Sequence, residues 1–234
     1  DNHVVFKNGV KEIAHLEGQS ATFMAKPFAD QPGSSCHIHT SLWSLDGQTP
    51  LSPGDAGNGM SGEFRSFVAG LVNHLADVTL LGAPNINSYK RYQPESWAPT
   101  ATVWALDNRT AGLRLVGTGP GLRIESRIPG ADANPYLAFA GVIAAGLAGI
   151  EEGLDCGPPY DGNAYAAGAE GDTALTHVPW NLPDATEAFR NSEVAQKALG
   201  EDVMFHLAHG ADEEWRAFHR EVSDWEYRRG YERL

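Results

Sequence analysis

At 234 residues, 42% of them hydrophobic and 20% charged, the chain can bury a substantial core and reads as one domain, residues 1–234, with a helical tail. Its formal charge of −13 argues against nucleic acid and anionic membrane as partners, and its two cysteines, Cys36 and Cys156, belong to no CxxC pair, so neither a zinc site nor a disulfide framework is expected. No apolar run reaches the roughly 18 residues needed to span a bilayer. The opening Asp1-Asn2-His3 has no signal-peptide pattern and no initiator methionine, so a cytoplasmic protein whose natural chain begins earlier is the expectation.

Apolar residues between Val4 and Leu16 (Val5, Phe6, Val10, Ile13, Ala14) fall at helical spacing, which predicts an amphipathic helix leading into Gly18. Ala21 to Lys26 and His37 to Trp43 read as strands around the turn-like Asp30-Gln31-Pro32-Gly33-Ser34. Ser44 to Met60, polar and Gly-rich, reads as a long loop. Ser61 is a candidate N-cap for a helix from Glu63 to Leu81, whose apolar residues keep helical spacing throughout. Thr100 to Leu106, Ala111 to Val116 and Leu122 to Ile128 read as three further strands. Pro135 opens an Ala-rich helix to Leu154 that is apolar on nearly every face and is expected at the centre of the core. Short acidic helices follow from Asn181. Strands mixed with helices, without one strand per helix, indicate an α+β fold.

Alternate strand residues share a face, so His37, His39 and Ser41 point one way while Ile38 and Leu42 point the other. The same rule puts Arg123, Glu125 and Arg127 in one row, and a Glu between two Arg is costly to bury unless it is paired or holds a cation. Between Lys90 and Arg127 there are six Lys or Arg against three acids, a positive island suited to a small anion. Imidazole and carboxylate can contribute to a divalent-metal site, and arginines hold carboxylates and phosphates by paired hydrogen bonds. Metal, phosphate and carboxylate are the ingredients of phosphoryl transfer. Taken singly, His37-x-His39 also reads as ordinary half-exposed strand residues and the Arg-Glu-Arg row as a cross-strand ion-pair ladder.

Three segments in order decide between these readings: SATFMAKPFADQPGSSCHIHTSL at 20–42, NSYKRYQPESWAPTATVWALDNRTAGLR at 87–114 and RIESRIPGADANPYLAF at 123–139. Together they resemble the nucleotide- and glutamate-binding signatures of the glutamine synthetase superfamily, a likeness that covers most of the chain and weakens after about Tyr160. The resemblance implies an antiparallel sheet backed by helices with a helical C-terminal region. It also implies a homo-oligomer of two hexameric rings in which each site lies between subunits. An N-terminal β-grasp-like domain and the first metal-ligand segment would precede this chain. Carried over, it makes His37 and Glu125 ligands of Mg2+ (or Mn2+), places His39 near the ATP phosphates and Ser41 towards the nucleoside, and gives Arg114 and Arg123 nucleotide contacts. Arg91 and Arg127 would hold glutamate and its transferring phosphoryl group, Arg109 would stabilise that group in transfer, and Gly33 would lie against glutamate with its backbone. The implied chemistry is phosphorylation of the glutamate γ-carboxylate by ATP, then attack by an amine.

Three positions depart from the pattern of the ammonium-using members. Trp97 stands where they carry a lid glutamate, Pro32 replaces the asparagine before Gly33, and Pro120 replaces a basic residue near the nucleotide. An indole cannot manage the proton and charge of ammonium, but it can offer an apolar or cation-π surface to an alkylamine or polyamine. The first two changes look like the γ-glutamyl-polyamine and γ-glutamyl-monoamine ligases. A glutamine synthetase using ammonium and a non-catalytic relative of the same fold stand as alternatives. Tyr165 falls where some bacterial glutamine synthetases carry an adenylylated tyrosine, one also common in unregulated relatives.

Overall fold

The computed structural model describes residues 1–165 and 175–233. Its elements are α1 (Asn2–Leu16), β1 (Ile38–Thr40), α2 (Gly62–His74), α3 (Thr79–Gly82), α4 (Ile86–Tyr89), β2 (Trp104–Leu106), β3 (Leu113–Val116), β4 (Arg123–Ser126), α5 (Pro135–Glu152), α6 (Leu182–Arg190), α7 (Glu193–Leu199), α8 (Glu201–Arg220) and α9 (Asp224–Gly230). A 3-10 turn, Gly119–Gly121, carries Pro120 between β3 and β4. The α+β class expected from the sequence is what the chain adopts. Among the described residues no helix is long and apolar enough to cross a membrane.

The four strands form one sheet in the order β1-β4-β3-β2. β1 and β3 both run antiparallel to β4, whereas β2 runs parallel to β3, so the sheet is mixed at one edge. The chain returns for that parallel pairing through the short Asp107–Gly112 segment, helped by Asp107, whose φ of 44° turns the backbone sharply, and Asp107 N donates to Leu115 O at 3.0 Å. The segment from Ala21 to Lys26, read as a strand, has no regular secondary structure and joins no sheet. Its backbone polar groups are met elsewhere: Lys26 N donates to Asn87 Oδ1 (2.8 Å), Asn87 Nδ2 donates to Lys26 O (2.9 Å), and Ser34 N donates to Ala25 O (2.8 Å).

Behind the sheet, α2 packs against α5. Ser61 caps α2 by accepting from Phe64 N, and Asn134 caps α5 by accepting from Tyr136 N, with Pro135 at the first turn and Gly153 in the left-handed region closing it. The two helices cross backbone to backbone: a Cβ on Gly149 would meet Ser66 O at 2.2 Å and Gly70 N at 2.5 Å, so this crossing requires glycine. The expected single helix from Glu63 to Leu81 breaks after His74. Leu75, Val78, Leu80 and Leu81 are still buried, and both pieces face the same core, which is why the apolar spacing runs through the break. α5 is buried on one face only, since Tyr136, Phe139, Ile143 and Leu147 lie about half exposed on the other. The C-terminal region is helical as expected, although α8 spans 20 residues. Cys36 and Cys156 are free and half-buried, and burial raises both thiol pKa values.

Candidate active site

The sheet places the chemistry in a cross-strand row. The register sets His39 of β1 and Arg114 of β3 on either side of Glu125 in β4. Glu125 is only 3% exposed, and its two oxygens are fully engaged. Oε1 lies 2.9 Å from His37 Nδ1 and accepts from Arg127 Nη1 at 3.2 Å, while Oε2 accepts from Arg114 Nη1 at 3.1 Å. His39 Nε2 stands 3.9 Å from the same Oε1, and Arg123 Nε donates to His39 Nδ1 at 3.2 Å. A buried carboxylate with these partners is compensated. Burial raises the Glu125 pKa, but the Arg114 hydrogen bond and the Arg127 charge outweigh it and hold the carboxyl below its usual value.

His37 responds in the opposite sense. Burial first and the Arg127 charge second push its pKa down to about 4, against the pull of Glu125, so the imidazole is neutral at pH 7 and keeps one nitrogen lone pair. Arg127 is 4% exposed, and burial lowers its pKa below the usual arginine value. Its Nη2 donates to the Trp97 carbonyl at 3.0 Å. Arg114 also donates through Nε to Asp107 at 2.8 Å, and its two acidic partners outweigh burial to raise its pKa.

Arg91 is 3% exposed and, among the described residues, forms no ion pair. Its Nη2 donates to the carbonyls of Ile128 and Arg127, and its guanidinium stacks 4.9 Å from the Tyr92 ring centroid. A buried cation matched only by carbonyls and a ring is expensive unless an anion joins it. Gly33 packs directly on this side chain: a Cβ there would meet Arg91 Cγ at 2.8 Å and Ala25 O at 2.5 Å.

The structure therefore gathers His37, His39, Arg114, Arg123, Glu125 and Arg127, and links Arg91, Gly33 and Trp97 to them. It does not gather two other predicted site residues. Ser41 is exposed and its Oγ accepts only from Trp43 Nε1 (3.0 Å), and Arg109 lies exposed in the turn before β3 with no side-chain hydrogen bond or ion pair among the described residues. Asp107 was missed, because only the parallel pairing of β2 with β3 brings it beside Arg114. Within the positive island Asp107 and Glu125 are both taken up by Arg114 and Arg127.

Trp97 is 62% exposed, so packing does not account for it. Trp97 and Glu95 sit in the left-handed region at φ 62° and 63°, a strained conformation for residues with a Cβ. Trp97 and Pro32 line one cavity of about 750 Å³ together with Lys26, Asp30, Lys90 and Glu95. Tyr165, singled out as a position of modification in some relatives, is buried, its residue 7% exposed. Among the described residues no three His, Cys, Asp or Glu are arranged to hold a metal ion. The neutral imidazole of His37 and the ionised carboxylate of Glu125 are nonetheless a donor pair of the right chemistry for part of a divalent site.

An α+β domain whose sheet and its flanks carry a buried carboxylate, two imidazoles and a group of half-buried and buried arginines has the side-chain chemistry suited to phosphate- and carboxylate-bearing ligands. The chain matches the glutamine synthetase catalytic domain over residues 1–230, and it belongs to that family. It is 50% identical over 234 residues to gamma-glutamylethanolamide synthetase GlnA4 of Streptomyces coelicolor, covering 100% of this chain and 48% of that protein. It is 39% identical over 230 residues to a glutamate–isopropylamine ligase of Pseudomonas sp., covering 98% and 50% respectively. To the glutamine synthetase of Mycolicibacterium smegmatis it is 37% identical over 232 residues, covering 97% and 52%. Among solved structures, a GmaS/ADP complex matches with a TM-score of 0.89 at 35% identity, over 98% of this chain and 53% of that one. The chain thus spans about half the length of these relatives.

Proposed function

We propose that the protein carrying this chain is an ATP-dependent ligase that joins glutamate to an organic amine through a γ-glutamyl phosphate. The γ-carboxylate oxygen takes the terminal phosphoryl group of ATP, releasing ADP. The amine nitrogen then attacks the acyl carbon, phosphate leaves with the bonding pair, and the nitrogen gives up a proton. The observation that carries the choice of an organic amine is the shared cavity of Trp97 and Pro32, two of the three positions that depart from the ammonium-using pattern, with the Trp97 indole exposed and its backbone carbonyl accepting from Arg127. The names of the 50% and 39% identical relatives, an ethanolamide synthetase and an isopropylamine ligase, support the same reading.

In this reading His37 and Glu125 hold Mg2+ or Mn2+, His37 because it is neutral at working pH and Glu125 because it is ionised. The metal supplies charge neutralisation at the phosphates. Arg91 and Arg127 hold the carboxylates of glutamate, with Gly33 keeping the backbone close enough for Arg91 to lie flat against it. His39, Arg114 and Arg123 face the nucleotide phosphates, and Ser41 the nucleoside. Arg109, exposed at its turn, would stabilise the transferring phosphoryl group, the role that the resemblance gives it. A ring-shaped homo-oligomer, a dodecamer of two hexamers, is the assembly that would cover the half-exposed apolar faces of α5 and α1.

The test is ATP- and glutamate-dependent phosphate release by the full-length protein, with ammonium compared against mono- and polyamines. Turnover with an amine and little with ammonium is expected. Preference for ammonium would return the protein to glutamine synthetase proper, and silence with every acceptor would favour a non-catalytic relative.

A further inference from the structure

The proposed glutamate subsite contains more buried donors than its own residues can satisfy. Arg91 Nε, Arg127 Nε and the Tyr165 hydroxyl are all shielded from solvent, and among the described residues none has a hydrogen-bond partner. Unmatched buried donors are uncommon and costly, and such donors call for an acceptor that a ligand can bring. Two of them belong to arginines already read as glutamate ligands. The third does not.

Tyr165 reaches this locus through two anchored segments. Ala164 N donates to Thr110 Oγ1 (3.0 Å) and Asn108 Nδ2 donates to Gly162 O (2.8 Å), which fastens the 162–165 segment to the turn at 108–110. The same stretch of chain continues into Gly112, whose carbonyl accepts from Arg127 N at 2.9 Å. The phenol thereby comes under the charges of Arg127 and Arg91 and beside the Trp97 backbone amide, which lies near its oxygen without forming a hydrogen bond of normal geometry. Burial dominates these influences and raises the phenol pKa, so the group stays a protonated donor at neutral pH. Ser126 Oγ, also unpartnered, belongs to a different locus, because strand alternation turns it to the face opposite Glu125 and Arg127.

We infer that Tyr165 is a substrate-binding residue that donates its hydroxyl to a carboxylate of glutamate, completing with Arg91 and Arg127 a three-donor cradle. This inference rests on the proposal that those arginines hold glutamate. A carboxylate offers about four acceptor positions, enough for all three donors. The backbone of Trp97 borders the locus, with its carbonyl on Arg127 and its amide at Tyr165, and must shift as the ligand enters. The left-handed strain at Trp97 and Glu95 lowers the cost of that shift.

The experiment is Tyr165→Phe in the full-length protein, with steady-state kinetics and thermal melting. Loss of one hydrogen bond to a charged group should raise the KM for glutamate on the order of ten- to a hundred-fold, with the KM for ATP unchanged and kcat at saturating glutamate nearly so. Thermal stability without substrate should be equal or higher, because the variant removes an unmatched buried hydroxyl, and a merely structural role would move it the other way. An unchanged glutamate KM, or a rise in every KM with a fall in melting temperature, overturns the inference. Arg127→Lys separates the two levels. If it weakens glutamate while Tyr165→Phe does not, only Tyr165 is misassigned, and if neither affects glutamate, the arginine reading fails as well.

Discussion

Glu125→Gln tests the electrostatic centre of the site with almost no change of shape. In the native chain one carboxylate answers two guanidiniums and an imidazole while 3% exposed. The amide keeps one acceptor oxygen, loses the charge, and turns an N–H₂ towards groups that are themselves donors. Arg114 still has Asp107, so the burden falls on Arg127, left with the Trp97 carbonyl and, among the described residues, no other acid. Removing one side of a buried pair costs about 3–5 kcal/mol. The retained hydrogen bonds, each worth about 1 kcal/mol, bring the expectation to about 3 kcal/mol. Urea unfolding of the full-length protein with chelator present should show that loss as a lower midpoint at constant m-value. Arg127→Met should cost a similar amount, and the double variant less than the two together, since the second change removes the orphaned charge. A loss below about 1 kcal/mol would mean the cluster behaves like a solvated surface pair, and the account of a buried, compensated carboxylate would be wrong.

Three further outcomes follow from particular residues. His37, with a folded pKa of about 4 against about 6.5 unfolded, binds protons more weakly when folded, so its share of stability is complete above about pH 6.5 and is lost as pH falls towards 4. That share is on the order of 3 kcal/mol, and metal-free unfolding of His37→Asn should lack the slope in this window, while the contribution of Glu125, whose pKa is also depressed, disappears only at lower pH. Trp97→Glu should shift the ratio of kcat/KM for ammonium over an alkylamine upward by about tenfold or more, the worth of one hydrogen bond to a charged group, and an unmoved ratio would remove Trp97 from the acceptor site. Gly149→Ala should cost about 1–3 kcal/mol by melting, because its Cβ would collide with backbone of α2, and a variant as stable as wild type would show that the crossing can relax.

The parts of the site that were legible in the sequence are those fixed by alternation along a single strand. His37 and His39, and Arg123, Glu125 and Arg127, keep the alternation although His37 and Arg127 lie just outside β1 and β4, and the structure brings them together, whereas Ser41, read into the same row as the histidines, stays apart. Which strand lies beside which was not legible. The pairing of His39 and Arg114 across Glu125 depends on register, and the partnership of Arg114 with Asp107 depends on a parallel edge that no local pattern announces. The helix break at His74 was hidden for a related reason: periodicity reports which face meets the core, and two short helices on one core share it. Ala21 to Lys26 shows the converse, since β-formers in a row cannot supply the neighbour that makes a strand.

Charge counting had its own limit. A surplus of cations between Lys90 and Arg127 is visible in the sequence, but how much of it is available to a ligand depends on which acids fold onto which arginines. Two of the three acids are taken up internally, by Arg114 and Arg127, and the third, Glu95, lies exposed in the strained loop beside Trp97. Of the cations that form no ion pair among the described residues, Arg91 is the buried one, flat against Gly33 and met by carbonyls and a ring. Such a residue is a net cost to the folded chain unless binding returns it, so it is better evidence of an anion site than the surplus itself. The same reasoning applies to Tyr165, which a charge count could not detect because it has no charge.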